Sequence, residues 1–169
     1  LVNPLPSSAP LIVLCHQAGW SRGEYAEIMP RLVELGFNCL AIDQRSGGAV
    51  NEIANKTHQD AKRKMKQTRY LDAIPDIKSA IAYVQRDSLT QTGIVLWGSS
   101  YSAALSLVVA ADLGEQLLGV LAFSPGEYFS SQGKSKDYLQ ATAACFSLPT
   151  FITSARIVQI NLAPIFESI

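Results

Sequence analysis

The chain has 169 residues, of which 48% are hydrophobic and 17% are charged, and its formal net charge is +0. This length and composition predict one globular domain with a sizeable core and exclude a disordered or fibrous chain. The balanced charge indicates neither nucleic acid nor an anionic membrane as a partner. No apolar run reaches the roughly 18 residues of a membrane-spanning helix, and no signal peptide is recognisable.

The three cysteines, Cys15, Cys39 and Cys145, are widely spaced and lie in apolar surroundings. Their spacing matches neither a metal site nor a disulfide framework, so we expect buried free thiols, no metal and no cofactor. Free thiols slightly favour a cytoplasmic location. Because the sequence begins with Leu1, a secreted or periplasmic protein whose signal peptide has been removed stays an alternative.

Short apolar runs alternate with longer stretches of helical periodicity, which is typical of a parallel sheet covered on both faces. Apolar residues at helical spacing predict three main helices, and Pro30 predicts a kink or a new start in the first. The predicted architecture is a three-layer α/β/α sandwich with a mostly parallel sheet. The predicted strands are residues 11–15, 37–42, 93–97, 118–123 and 150–154; the predicted helices are 25–35, 71–84 and 103–111, with weaker ones at 138–146 and from Leu162.

Residues 44–68 differ from the rest because they are polar and contain a run of lysine and arginine. We expect a solvated loop and an exposed helix face there. A basic surface that steers a substrate is the less favoured alternative. A nucleic-acid-binding role for the basic run has little support, since no aromatic residues accompany it to stack on bases.

The most informative stretch is the predicted strand 93–97, which leads into Gly98-Ser-Ser-Tyr-Ser and then into a helix of small residues. This matches the G-x-S-x-G pattern of a nucleophile elbow, with Ser102 in place of the second glycine. A sharp turn holds the serine hydroxyl above the sheet, and the next helix directs N–H groups at the same point. We therefore predict Ser100 as a nucleophile. A serine-rich strand–helix junction without chemistry is the alternative.

Together these segments resemble the α/β-hydrolase superfamily, and within it the dienelactone hydrolase-like esterases. The resemblance covers nearly the whole chain: His16-Gln-Ala-Gly, Arg22-Gly-Glu-Tyr, residues 35–48, the Ser100 turn, residues 123–129 and 148–155. It implies an α/β-hydrolase fold and a serine hydrolase that acts on small carboxylic esters or lactones through a Ser100 acyl-enzyme. It also implies a single, partial domain that lacks the family's first strands and its last strand with the histidine loop.

The resemblance further implies two backbone donors for the oxyanion. One is the N–H of Tyr101, the residue after the nucleophile. The other belongs to the loop after strand 11–15, where we expect Ala18, with Gln17 as the alternative. His16 is expected to bond this loop rather than to act as general base. His16 and Glu24 are candidates for lining the pocket, although a helix-start carboxylate is the more ordinary role of Glu24.

The family orders its catalytic residues as nucleophile, acid and histidine. The sequence contains two histidines, His16 and His58, and both precede Ser100. A His58 that folds back over the site is a less favoured possibility. Glu127 is the candidate acid, with local capping or ion pairing as the alternative. Asp43 is expected to hold a loop through a pair with Arg45.

Three explanations of the incomplete triad stay open. The chain is a truncated esterase, a divergent hydrolase that uses other groups, or a non-catalytic protein with a ligand- or partner-binding role. We favour the first two, because the serine turn and the oxyanion loop are both present in the sequence. A sheet that lacks its outer strands would expose edges that favour a homo-oligomer.

Overall fold

The computed structural model describes residues 5–145 and 147–154. The strands are β1 Leu11–Cys15, β2 Asn38–Ile42, β3 Ala49–Val50, β4 Ile53–Ala54, β5 Ile94–Ser99, β6 Gly119–Phe123 and β7 Thr150–Thr153. Five of them form a sheet of order β2-β1-β5-β6-β7, and every neighbouring pair is parallel. β3 and β4 form a separate antiparallel pair. The five predicted strands are all present, with ends that differ by one or two residues.

The helices are α1 Ile28–Glu34, α2 Lys56–Arg63, α3 Ile74–Arg86, α4 Tyr101–Leu113 and α5 Tyr138–Ala143, and short 3₁₀ turns at Arg22–Tyr25 and Leu71–Ala73 precede α1 and α3. Pro30 is the third residue of α1, where a helix does not need its N–H, so the helix begins anew just before it. The predicted end of the helix at Phe146 and the predicted helix from Leu162 lie outside the described residues.

Helices cover the sheet on both faces and make three layers, as predicted. On one face, buried residues of β1, β5 and β6 pack against α3, α4 and α5. On the other face, Ile12, Leu14 and Cys39 pack with Tyr25 and with Leu32 of α1. Helix α4 is buried around most of its circumference, which explains why its sequence is apolar on nearly every side.

The register of the central strands places the loops that follow β1, β5 and β6 next to one another at the carboxyl end of the sheet. Cys15 of β1 pairs with Gly98 of β5, and Ser99 of β5 pairs with Phe123 of β6. The carboxyl ends of these parallel strands therefore lie side by side, and ligands of open α/β sheets bind at such ends. The loop after β1 and the turn at Ser100 are neighbours at this edge.

The expectation of buried thiols is correct for two of the three cysteines. Cys15 and Cys39 are fully buried in strands of the sheet, and burial raises the pKa of Cys39 to about 11. Cys145 is exposed, because it follows the end of α5 in a surface turn. The prediction for Cys145 is therefore wrong.

Candidate active site

The turn at Ser100 connects the end of β5 directly to the start of α4. Ser100 has φ 55° and ψ −122°, a backbone conformation that non-glycine residues rarely adopt. Its N–H donates to the Phe123 carbonyl at 2.8 Å, and its own carbonyl accepts the N–H of Ala103 at 2.9 Å. The strained residue is thus held from both sides. This is the geometry that the predicted serine turn requires.

Gly98 and Ser102 show why strand and helix can meet so closely there. A Cβ atom at Gly98 would lie 2.2 Å from the Ser102 carbonyl oxygen, so only glycine fits. Ser102, which stands where the pattern has a second glycine, is fully buried. Its hydroxyl donates to the His16 carbonyl at 2.5 Å and accepts from the Gln44 amide at 2.9 Å. The serine therefore ties the turn to the loop after β1.

Two consecutive peptide units of that loop are held by hydrogen bonds. In the first unit, the His16 carbonyl accepts the Ser102 hydroxyl, and the Gln17 N–H donates to the Glu24 carboxylate at 2.7 Å. In the second unit, the Gln17 carbonyl accepts the His16 ring at 2.8 Å and the Trp20 N–H at 3.3 Å. Because a peptide unit is planar, these bonds also fix the direction of the Ala18 N–H.

The Ala18 N–H has no acceptor among residues 5–145 and 147–154, and neither has the Tyr101 N–H at the start of α4 within the same ranges. Both amides therefore fit the predicted role of oxyanion donor. The N–H of the alternative donor, Gln17, donates to Glu24 in this arrangement, so Ala18 is the donor that we retain in the proposal. The helix dipole adds partial positive charge at Tyr101.

His16 is fully buried beneath the loop and does not line an open pocket. Its Nε2 accepts the Gln44 N–H at 2.9 Å, so the ring hydrogen is on Nδ1, which donates to the Gln17 carbonyl. Burial lowers the pKa of His16, and nearby carbonyl and carboxylate oxygens only partly oppose that shift. With both ring nitrogens engaged, His16 bonds the loop as expected and is not available as a general base.

The second histidine, His58, is held by contacts within the 44–63 segment itself. The Nδ1 atom of His58 lies 2.7 Å from the Arg45 carbonyl, and the His58 N–H caps onto the Asn55 side chain. Neither histidine ring has a hydrogen bond to Ser100 in the described part of the chain.

The candidate acid Glu127 serves as a helix cap. Its carboxylate accepts the N–H groups of Leu139 and Gln140 at the start of α5, at 2.7 and 3.1 Å. This is the local alternative that the sequence left open. Negative charge is favourable at that position, since it faces the positive end of the helix.

The predicted pair between Asp43 and Arg45 is wrong. Asp43 instead forms an ion pair with Arg22 and accepts the N–H groups of Arg22 and Lys56, both at 2.9 Å. Arg45 forms a two-pronged pair with Asp76 at the start of α3. The two residues lie on one short segment but face different neighbours, which short sequence spacing does not reveal.

Glu24 lies at the site in a half-buried position between the two loops. Burial raises the pKa of Glu24, and the Gln17 N–H and the Ser99 side chain offset part of that shift. The carboxyl group therefore lies in surroundings that are poor in solvent. Its contact with the loop backbone distinguishes it from an ordinary helix-start carboxylate.

Sequence reasoning missed the buried polar residues of the 44–55 segment, which we expected to be solvated. Gln44 and Asn55 are fully buried. The Asn55 amide nitrogen lies 2.8 Å from the Gln44 carbonyl, 3.1 Å from the Trp20 carbonyl and 3.0 Å from the His16 ring. Ser46 lies 2.5 Å from the Tyr101 hydroxyl. The signal that could have found them is Gly47, where a Cβ would lie 2.0 Å from the Asn55 amide.

Within the described ranges, no cluster of three or more His, Cys, Asp or Glu side chains could hold a metal ion. Among the same residues, no helix is long and apolar enough to cross a membrane.

The parallel sheet, its helical layers and the strand–serine–helix turn define an α/β-hydrolase. More particularly, the chain belongs to the family described as serine aminopeptidase, S33, which matches residues 6–156. The superfamily that the sequence resembled is thereby confirmed. No curated protein matches the chain in sequence.

Solved structures of similar fold include several described as esterases. An esterase of Pyrococcus furiosus, Pf2001, is 18% identical with a TM-score of 0.64, over 95% of this chain and 68% of that one. Est1E of Butyrivibrio proteoclasticus, solved with ferulic acid, is 15% identical with a TM-score of 0.64, over 89% and 71%. A thermostable carboxyl esterase of Bacillus coagulans is 19% identical with a TM-score of 0.61, over 77% and 41%. At these identities the likeness concerns the fold.

Proposed function

We propose that this protein is a serine hydrolase that cleaves small carboxylic esters or lactones through an acyl-enzyme on Ser100. The observation that carries the proposal is the backbone of Ser100, whose φ of 55° is maintained between β5 and α4 although it strains the chain. Such strain is stored where a side chain must be presented for chemistry. The half-buried Ser100 is accompanied by the amides of Ala18 and Tyr101, which have no acceptor in the part of the chain that the structure describes.

In the proposed reaction, the Ser100 Oγ attacks the ester carbonyl carbon while a base takes the hydroxyl proton. The N–H groups of Ala18 and Tyr101 donate to the carbonyl oxygen as it becomes negative, which contributes roughly 3–4 kcal/mol per donor in comparable enzymes. The tetrahedral intermediate expels the alcohol, which receives the proton, and leaves an acyl group on Ser100. Water then attacks that acyl group and releases the carboxylic acid.

The base is the incomplete part of this mechanism. The ring of His16 bonds the loop, and the ring of His58 bonds the Arg45 carbonyl. Because general-base assistance contributes about 10²–10⁴-fold, we expect slow hydrolysis from the chain as given.

The substrate class is proposed from the relatives and from the loops. The similar folds named above are described as esterases, and one was solved with ferulic acid, an aromatic carboxylic acid. The short connection between β6 and β7 leaves little room for a large cap over Ser100. Both points favour an open site and small esters or lactones. The dienelactone hydrolase-like subtype is proposed from the resemblance of the sequence alone. The organisation as one domain stays a prediction, as does a homo-oligomer.

The test is hydrolysis of short p-nitrophenyl esters together with labelling by a fluorophosphonate, which reacts with nucleophilic serines. We expect the unaltered chain to hydrolyse the ester and take up the label, and Ser100→Ala to lose both. Ser131 provides a matched control. It is exposed and distant from Ser100 in the sequence, so Ser131→Ala removes a serine hydroxyl without changing the predicted nucleophile. Equal rates for the unaltered chain and S100A would overturn the proposal.

The alternative of a non-catalytic hydrolase-fold protein is not favoured by the family match or by the similar structures. If S100A and the unaltered chain react equally, that alternative becomes the better description.

A further inference from the structure

The loop that contains Ala18 is held in part by a residue outside the loop. Glu24 lies in the 3₁₀ turn Arg22–Tyr25, and its Oε2 accepts the Gln17 N–H at 2.7 Å. A hydrogen bond to an ionised carboxylate is shorter and roughly twice as strong as one between neutral groups. The bond therefore acts on the residue directly before the predicted oxyanion donor.

Glu24 cannot easily move away from this contact, because the turn is anchored on both sides of it. On one side, the Ser21 hydroxyl accepts the Gly23 N–H at 3.2 Å and donates to the Ile53 carbonyl at 2.6 Å. On the other side, the fully buried Tyr25 donates its hydroxyl to the Cys15 carbonyl at 2.7 Å. The carboxylate is presented from a rigid turn.

The same contact keeps the Gln17 N–H from being the unpaired amide of the loop. If the Gln17 N–H were released, its peptide unit could turn, and the Ala18 N–H would keep its direction only through the bonds to the Gln17 carbonyl. With Glu24 in place, the Gln17 N–H is engaged and the Ala18 N–H is the one left without an acceptor among the residues described.

We propose that Glu24 is a positioning residue. By accepting the Gln17 N–H, it helps to hold the loop so that the Ala18 N–H points at the oxyanion that forms when Ser100 attacks the substrate carbonyl. We call this contact between Glu24 and Gln17 the clamp. This inference rests on the proposed function of Ser100. Glu24 takes no proton and touches no substrate in this role.

The test compares Glu24→Ala, which removes the acceptor, with Glu24→Gln, whose amide oxygen can still accept the Gln17 N–H. Glu27→Ala is the matched control, because Glu27 is exposed on the following turn and makes no side-chain cap bond. We expect E24A to lower kcat about 10–100-fold with little change in KM, since an oxyanion donor acts mainly in the transition state. E24Q should restore kcat to within about threefold of the unaltered chain, and E27A should leave it unchanged.

A second measurement reports the clamp without relying on activity. Amide hydrogen exchange of residues 16–20 should accelerate in E24A and stay slow in E24Q and E27A. Unchanged exchange in E24A, or an E24A enzyme with unchanged kcat, would overturn the clamp. If exchange follows these expectations but the unaltered chain and S100A hydrolyse esters equally, the proposed function fails, and the catalytic part of this inference fails with it.

Discussion

His16 is held by hydrogen bonds that only its neutral ring can make. The Nε2 atom accepts the N–H of Gln44, and the Asn55 amide lies 3.0 Å from the same atom. A proton on Nε2 would face these two donors and would break the arrangement. Burial accordingly lowers the pKa of His16 in the folded protein below its ordinary value of 6.5.

The sign of the resulting pH dependence follows from this shift. The unfolded chain takes up a proton on His16 near the ordinary pKa of 6.5, whereas the folded chain does so only at lower pH. The contribution of the neutral His16 ring to stability is therefore complete above pH 6.5 and is lost as the pH falls from there through the lowered, folded-state pKa. We expect the free energy of unfolding to fall by up to about 1.4 kcal/mol per pH unit in that window.

Urea unfolding at a series of pH values between neutral and mildly acidic checks this. The variant His16→Asn should show a shallower slope, while His58→Asn, which changes the second histidine, should retain the slope of the unaltered chain. Parallel slopes for H16N and the unaltered chain would show that His16 does not cause the acid sensitivity.

Among the secondary-structure elements, the β3–β4 pair and α2 meet at Asn55, which is one of the residues that attach them to the site. The Asn55 oxygen caps α2 by accepting the His58 N–H at 2.8 Å, while its nitrogen contacts the carbonyls of Gln44 and Trp20. One amide therefore starts a helix and also satisfies buried oxygens of two loops. Gly47 lies against the Asn55 amide, and no other residue fits there, because its Cβ atom would overlap that amide.

We predict that Asn55→Ala lowers the free energy of unfolding by about 2–4 kcal/mol. A lost cap contributes about 1 kcal/mol, and each buried polar group left without a partner adds about 1–3 kcal/mol. Asn55→Asp keeps the capping oxygen but sets a buried carboxylate oxygen against the Gln44 and Trp20 carbonyls, so it should be at least as destabilising as N55A. Chemical denaturation of both variants and the unaltered chain measures these losses. A value for N55A within about 0.5 kcal/mol of the unaltered chain would contradict this account.

Across the whole molecule, the two faces of the sheet are unequally covered. The face under α3, α4 and α5 contains the larger buried cluster, with Leu105 of α4 fully buried. On the other face, a row of aromatic side chains crosses the sheet. The ring of Trp97 stacks on that of Phe123 with 4.4 Å between ring centroids, and the Phe123 centroid lies 6.1 Å from that of Phe151 on the edge strand β7. Phe151 keeps 54% of its surface exposed, so this end of the row contributes little to the core.

This asymmetry predicts different costs for two truncations of core-type residues. Leu105→Ala should lower the free energy of unfolding by about 3–5 kcal/mol, because it leaves a cavity between α4 and the sheet. Phe151→Ala should lower it by about 1 kcal/mol or less, since solvent already reaches the ring. Thermal unfolding of both variants measures the difference. Equal losses would mean that Phe151 is covered as well as Leu105.

Local sequence patterns were sufficient to predict the strands of the sheet and the tight turn at Ser100. The apolar runs of β1, β2, β5, β6 and β7 and the helical spacing in α3 and α4 are properties of neighbouring residues, so they can be read along the chain. Gly98-Ser-Ser-Tyr-Ser also predicts a tight turn from its small residues alone. These features express backbone and burial preferences that act over a few positions.

The partners of the polar side chains could not be read in this way. Ser102 bonds the His16 carbonyl across 86 positions of sequence, Arg45 bonds Asp76 across 31, and Gln17 bonds Glu24 although no periodicity relates them. A charged or polar residue has many potential partners, and its choice depends on which loops the sheet brings to one edge. That is why Asp43 was assigned to the wrong arginine, and why the burial of Gln44 and Asn55 and the clamp by Glu24 emerge only once β1 and β5 lie side by side.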